Sequence, residues 1–136
     1  MKSESYDFVA ALWLYERDGG VLGVLPHYGG GYYFLPGGLV DPGETWAQAA
    51  AREVGEEVGF AVDASELQEI ARIEHDAWGR PGERVLLVCF AGGEPAGEPT
   101  PDGDEILETA WLSAAEWHRF TPGVQVILRT LGMSRN

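Results

Sequence analysis

Residues 37–60 read GGLVDPGETWAQAAAREVGEEVGF. Two glycines lead into a proline-glycine loop, Glu44 closes the loop, and a helix follows. The helix start is legible: Thr45 caps the N-terminus, and Gln48, three residues on, completes a capping-box pattern. Gly59 ends the helix. At about 100° per residue, Ala47, Ala50, Ala51, Val54 and Val58 fall on one side, a narrow face of mostly small residues suited to lying close against a sheet. Glu53, Glu56 and Glu57, at i, i+3 and i+4, share the neighbouring face. Like charges so spaced repel by roughly a few tenths of a kcal/mol per pair, and helix stability alone offers no reason to accept that. Hard divalent cations do, because Mg²⁺ and Mn²⁺ take carboxylate oxygens and keep waters and substrate phosphates as their other ligands. A solvated acidic face in an acidic protein is the alternative reading of the three glutamates alone.

Working outward, residues 6–15 (YDFVAALWLY) and 21–27 (VLGVLPH) are apolar strands joined by the turn ERDGG, and they read as a hairpin. A glycine run, Gly29–Gly31, precedes a third short strand, YYFLP at 32–36. Beyond the helix, a strand from about Leu67 to Trp78 turns at GRPGE into RVLLVCFAG (84–92). The stretch 93–104, GEPAGEPTPDGD, is a loop too polar to pack. EILETAWL (105–112) is a strand. Ser113 with Glu116 opens a second helix over 113–120, and a third begins at Pro122 and runs through 133. This order of three strands, a helix, three strands and two helices does not alternate regularly. The expected class is therefore α/β, a mixed β-sheet flanked by helices rather than a doubly wound parallel sheet.

At 136 residues the chain is long enough for one core, so a single domain over residues 1–136 is expected. Its hydrophobic fraction of 45% suits a folded globule rather than a disordered chain. The net charge of −13 weighs against nucleic-acid polymers and anionic membranes as partners, since such a surface repels them. It leaves room for a small phosphorylated ligand, because bound divalent cations reverse the local sign. Cys89 is the only cysteine and lies in an apolar run, so there is no intrachain disulfide and no thiol-based metal framework. The N-terminal MKSESYDFVA lacks a signal-peptide core and no apolar run reaches transmembrane length, which makes a cytoplasmic location the expectation.

The central stretch carries more than an acidic face. Gly38, Glu44, Arg52-Glu53-Val54, Glu56-Glu57 and Gly59-Phe60 stand at the spacings of the signature of the Nudix hydrolase family, over 23 of the 136 residues. At average amino-acid usage, such a set arises by chance in roughly one window in 10¹⁰. The order of strands and helices around it also resembles the Nudix-type α/β/α sandwich. The resemblance implies hydrolysis of a diphosphate linkage in a nucleoside tri- or diphosphate, in the manner of the MutT-like members, with Mg²⁺ as cofactor and Mn²⁺ as a substitute. ADP-ribose or another nucleoside-diphosphate sugar is the alternative substrate class. A nucleotide-sensing module that does not cut is a third reading, though such members usually lose box carboxylates and none is lost here. A small-molecule nucleotide is the implied partner, and the chain is a monomer or homodimer.

Carried over position by position, the resemblance makes Glu53, Glu56 and Glu57 metal ligands, with Glu53 also orienting the attacking water. Gly37 offers its backbone carbonyl to the metal, which would explain why no side chain is wanted there. Arg52 pairs with a glutamate and holds its rotamer, and Glu44 fixes the loop. The general base is sought among Asp102, Asp104, Glu105 and Glu108. Glu105 resembles the base position of the MutT-type enzymes, counting back from Trp111, and is preferred. Glu108 shares a strand face with Ile106, Ala110 and Leu112, and a carboxylate on such a face asks for a partner, catalytic or structural. Many family members carry arginines at the end of the second strand, where this chain reads Leu25-Pro26-His27-Tyr28. His27 is the candidate phosphate contact there, with simple solvation as the alternative. Trp78 lies roughly where dinucleoside-polyphosphate members place a base-stacking tyrosine, with a buried or turn-covering tryptophan as the preferred reading. Trp46, from its helical angle, is placed beside the carboxylates.

Overall fold

The computed structural model describes residues 5–133. In chain order the elements are β1 (Phe8–Trp13), β2 (Glu16–Arg17), β3 (Gly20–Pro26), β4 (Gly37–Leu39), α1 (Trp46–Val58), β5 (Gln68–Asp76), β6 (Arg84–Ala91), β7 (Ile106–Leu112) and α2 (Pro122–Thr130). Short 3₁₀ segments lie at Ala64–Glu66 and Ala114–Arg119. The mixed α/β class read from the sequence holds, with the strands divided between two sheets.

The larger sheet has the order β4-β1-β6-β5. β1 and β6 are parallel, with Phe8 opposite Val85 and Trp13 opposite Phe90, while β4 and β5 flank them antiparallel. β1 sits centrally because its residues are apolar on both faces, as a strand covered on both sides must be. Ala11 and Trp13 face α1 with Val54, Val58, Leu86 and Val88. Ala10 and Leu12 face the opposite way, toward Val85, Val124, Ile127 and Leu128. The helices therefore cover opposite faces of this sheet, giving the α/β/α layering. Cys89 is fully buried within it, and burial pushes its thiol up to about 12.

The smaller antiparallel sheet has the order β2-β3-β7. Here the expected hairpin between 6–15 and 21–27 is corrected. Glu16–Arg17 pairs with the start of β3, around the two-residue turn Asp18-Gly19, whose positive φ angles of 52° and 82° suit an Asp-Gly hairpin, and the 6–15 stretch adds one bond, from the Leu22 N–H to the Tyr15 carbonyl at 2.9 Å. β1 itself leaves for the other sheet, because only there can both of its apolar faces be covered. The expected strand at 32–36 is likewise reduced to single bridges, Phe34 with Val24 and Tyr33 with Phe120. Its two central residues bond to different elements, which no continuous ladder permits. β4 forms instead at Gly37–Leu39.

α1 begins and ends as its sequence requires. Thr45 and Gln48 exchange both capping-box hydrogen bonds, at 2.9 and 3.1 Å, and Gly59 adopts φ 77° with its N–H on the Gly55 carbonyl. The second helix is a 3₁₀ segment rather than an α-helix. Its Ser113–Glu116 box forms, but only six residues separate that cap from Phe120, and the proline two residues further on restricts Thr121 to an extended backbone.

Candidate active site

The site is built where α1 crosses the edge of the larger sheet at β4. Gly37 has φ 148°, and a Cβ on it would lie 2.2 Å from the Ala11 carbonyl oxygen. The β1 backbone, rather than the freedom of a carbonyl, therefore excludes a side chain here. At Gly38 a Cβ would stand 2.6 Å from the Glu53 carboxylate. The second glycine is thus a gap in the sheet edge that Glu53, projecting from α1, occupies.

Glu57 is 3% exposed although it is charged in water. Its Oε1 accepts the Gly37 N–H at 3.1 Å. Burial, helped by the neighbouring carboxyls of Glu53 and Glu105, pushes its pKa up to about 9 against the opposing Gly37 hydrogen bond. Glu53 is also raised, first by burial, while Arg52 pulls it back. The two carboxyls lie close enough that each acts on the other's titration. Glu56 is exposed and turned to Arg52, 3.3 Å from its guanidinium. Among the described residues no three His, Cys, Asp or Glu side chains converge into a ready cation cage.

Arg52 is the hinge of the cluster. It holds Glu44 bidentately, at 2.7 and 3.1 Å, and reaches Glu53 at 3.2 Å and the Leu39 carbonyl at 3.1 Å. Glu44 in turn accepts the Asp41 N–H at 2.9 Å. One guanidinium therefore ties the loop, β4 and the helix carboxylates into a single arrangement, as its planar fork allows.

The polar loop 93–104 also belongs to this arrangement. The Thr100 N–H bonds the Val58 carbonyl at 2.8 Å, and the Asp102 N–H bonds the Glu57 carbonyl at 3.1 Å. These are carbonyls that a helix end leaves unsatisfied. Asp102 Oδ1 accepts the N–H groups of Asp104 and Ile106, both at 2.9 Å. Asp102 is thus occupied in shaping the turn, and the turn sets Glu105 beside the box. Glu105 Oε2 accepts the Tyr28 hydroxyl at 3.0 Å, and the Tyr28 phenol is raised by burial and by the carboxylates around it.

A cavity of about 880 Å³ opens between these groups and α2. Gly37, Gly38, Asp41, Glu53, Tyr28 and Glu105 line its acidic end. Its floor crosses the sheet through Leu12 and Leu87, and Trp78 and the start of α2 line the far end. Half-buried Glu53 and buried Glu57, both raised by burial, set their carboxyl oxygens side by side as a hard-oxygen donor set whose ionised form a divalent cation would favour. The residues present therefore fit Mg²⁺ or Mn²⁺.

The remaining sequence candidates separate in space. Glu108 does not line the cavity: it accepts the Tyr33 hydroxyl, which Arg119 also approaches at 3.4 Å. Its partner is structural, linking β7 to the chain before β4. His27 is exposed, contributes its backbone N–H to the Glu105 carbonyl, and packs its ring against Tyr28. The cavity residue of that loop is its neighbour. Trp46 stacks under the Arg72 guanidinium at 4.6 Å, away from the cavity lining. Trp78 does line the cavity, 40% exposed, with its indole N–H on the Gly29 carbonyl at 2.9 Å and its ring against Tyr32. Sequence reasoning passed over Tyr28. An aromatic at the end of an apolar strand, next to a candidate ligand, was the available signal.

A family model described as NUDIX domain matches residues 6–131. The NAD-capped RNA hydrolase NudC of Photobacterium profundum is 32% identical over 97 residues, covering 71% of this chain and 34% of that protein. The uncharacterized Nudix hydrolase orf19 of Rhodococcus erythropolis is 41% identical over 96 residues, covering 65% of this chain and 50% of that protein. The chain thus spans between a third and half the length of these curated relatives. The crystal structure of a MutT NUDIX hydrolase from Burkholderia pseudomallei superposes with a TM-score of 0.77 at 24% identity, covering 90% of this chain and 95% of that one.

Proposed function

The chain belongs to the Nudix family, and from that premise we propose that it is a divalent-metal-dependent pyrophosphohydrolase acting on nucleoside tri- or diphosphates. The observation that carries this reading is the pairing of half-buried Glu53, which lines a cavity large enough for a nucleotide, with buried Glu57 behind it, both set beside glycines at the edge of a sheet. Glu53 and Glu57, with Glu56 and the Gly37 carbonyl, hold the metal, Mg²⁺ or in its place Mn²⁺. When bound, the metal neutralises charge on the diphosphate and lowers the pKa of an attacking water.

The protein's own groups do the rest. Arg52 holds the carboxylate array against Glu44 so that Glu53 keeps its place at the gap left by Gly38. Tyr28 donates to Glu105 Oε2 and thereby leaves Oε1 free to accept a proton from water. Glu105 is the general base, and Trp78 forms part of the wall against which the substrate lies. Residues 1–136 act as one domain, monomeric or homodimeric and cytoplasmic, with a small nucleotide rather than a nucleic-acid polymer or a membrane as partner. Among the described residues no helix is long and apolar enough to cross a membrane.

Mg²⁺-dependent release of phosphate or pyrophosphate from a panel of nucleotides tests the reading. Glu53→Gln and Glu57→Gln abolish it, whereas full turnover in both variants overturns the mechanism. A second reading, a diphosphate joining a nucleoside to a sugar or to another nucleoside, as in ADP-ribose, draws support from the likeness to a NudC hydrolase and from a cavity that crosses the sheet from β4 to β5. Adding ADP-ribose and dinucleoside polyphosphates to the same panel separates the two.

A further inference from the structure

Glu105 stands where like charges would not leave it. It is exposed, lines the acidic end of the cavity with Glu53, and is near enough to Glu57 to act on its titration. Among the described residues its side chain has one hydrogen-bond partner, the Tyr28 hydroxyl. A carboxylate beside other carboxylates, with solvent open to it, keeps such a place only where its backbone is held. The Tyr28 bond fixes the tip of the side chain, and something else must fix its root.

One carboxylate does so. Asp102 Oδ1 accepts the N–H groups of Asp104 and Ile106, both at 2.9 Å, and these are the residues on either side of Glu105. The Gly103 N–H closes the same turn on the Ile106 carbonyl at 3.0 Å, with Gly103 at φ 79°. A short side chain bonding amides two and four residues ahead is the chemistry by which Asp builds turns. The N–H of Asp102 runs the other way, to the Glu57 carbonyl at 3.1 Å. Among the described residues Asp102 alone is bonded both to Glu57 and to the amides that bracket Glu105. The rest of the loop is anchored apart from this turn. The Trp13 indole holds the Gly92 carbonyl at 2.9 Å, the Tyr15 hydroxyl holds the Pro95 carbonyl at 3.1 Å, and Arg17 pairs with Glu98 at 3.0 Å.

Resting on the pyrophosphohydrolase reading above, we propose that Asp102 is a positioning residue for the reaction: its carboxylate sets where the Glu105 base stands relative to the Glu53–Glu57 end of α1. It lines no part of the cavity and touches neither substrate nor metal. Being exposed, it owes its place to these hydrogen bonds rather than to packing. A base must lie within hydrogen-bond reach of the water it deprotonates, so a misplaced turn is felt in kcat and hardly in KM.

Asp102→Ala, Asp102→Asn and Asp102→Glu are compared with wild type in Mg²⁺-dependent turnover of a nucleoside triphosphate. Alanine is expected to lower kcat about 10- to 100-fold, with KM within about twofold of wild type. Asparagine keeps an oxygen acceptor at the same reach and restores kcat to within about threefold. Glutamate keeps the charge, moves the acceptor, and behaves like alanine. In the Glu105→Gln background the alanine change costs nothing further. In metal-free protein, amide exchange at Asp104 and Ile106 runs about tenfold faster with alanine and at the wild-type rate with asparagine. Glu98→Gln, which loosens the loop at its far end, leaves kcat unchanged.

The alanine variant opens no cavity and is expected to fold, and the glutamate variant carries the same test in its place. Wild-type kcat in the alanine variant, rescue by glutamate but not asparagine, or an independent loss in the Glu105→Gln background overturns the positioning role. Each of those leaves the pyrophosphohydrolase reading standing. A wild-type protein that turns over no nucleotide overturns both.

Discussion

The Gly37 N–H donates to Glu57 Oε1 at 3.1 Å, joining the edge strand β4 to a carboxyl that is almost wholly buried. Glu57 titrates at about 9 in the fold against an ordinary 4.5. Between those values the native state keeps a proton that the unfolded chain has released. Metal-free stability is therefore full below pH 4.5 and falls as pH rises through 9. Thermal melts in chelator should show Tm declining over this window, a slope flattened in Glu57→Gln. At about pH 8 without metal the glutamine variant should melt higher than wild type, and Mg²⁺ should raise Tm of wild type only. A metal-free variant that melts lower under those conditions contradicts the assignment.

Gly38→Ala probes the gap at the sheet edge. Its Cβ would meet the Glu53 carboxylate at 2.6 Å, so Glu53 must turn away while the sheet stays intact. A displacement of that size costs about 10²-fold in kcat/KM, with an unchanged far-ultraviolet circular dichroism spectrum. Near-wild-type kinetics would show that the position of Glu53 is not critical.

Arg52→Lys keeps the charge and loses the fork that grips Glu44 at two oxygens. Activity is expected to drop about 10- to 100-fold, the range for residues that orient ligands rather than bind substrate, and to be no better than in Arg52→Gln. Rescue by lysine would mean that charge alone matters at this position.

The two distal glutamates should behave oppositely. Glu105→Gln removes the proton acceptor facing the cavity and lowers kcat about 10²- to 10⁴-fold, with little change in Tm. Glu108→Gln weakens the bond to Tyr33 and should lower stability by about 1 kcal/mol in urea titrations while turnover stays within about twofold. The reverse pattern would transfer the base role to Glu108.

Tyr28→Phe tests how Glu105 is held. Losing the 3.0 Å hydrogen bond should lower kcat a few-fold, about the worth of one hydrogen bond, with KM unchanged. In the Glu105→Gln background it should have no further effect. Independent, multiplicative losses would show that Tyr28 acts on something other than Glu105.

Local chemistry was readable wherever it depends on residues within a turn or two of one another. The caps of α1, its small apolar face and the carboxylate spacing all follow from positions a few residues apart on one helix, whereas which glutamate Arg52 grips, Glu44, was shown only by the structure. The hairpin expected of 6–15 and 21–27 went astray for the opposite reason. Proximity in sequence favoured that pairing, but covering both apolar faces of β1 required β4 and β6 as neighbours.

The residues 37–60 alone therefore determine the helix, its carboxylate face and the family to which the chain belongs. Which distal carboxylate faces the box was decided only in three dimensions. Glu105 and Glu108 are three residues apart, but a shift in pairing at Leu25–Pro26 and the Asp102 turn send one toward Tyr28 and the other toward Tyr33. The same holds for the approach of α2 to the sheet at Gly123, which lies against Leu87 of β6, two strands from the glycines. Those contacts join residues far apart in the chain. Local propensity carries no information about such pairs, and burial of both faces of one sheet brings them together.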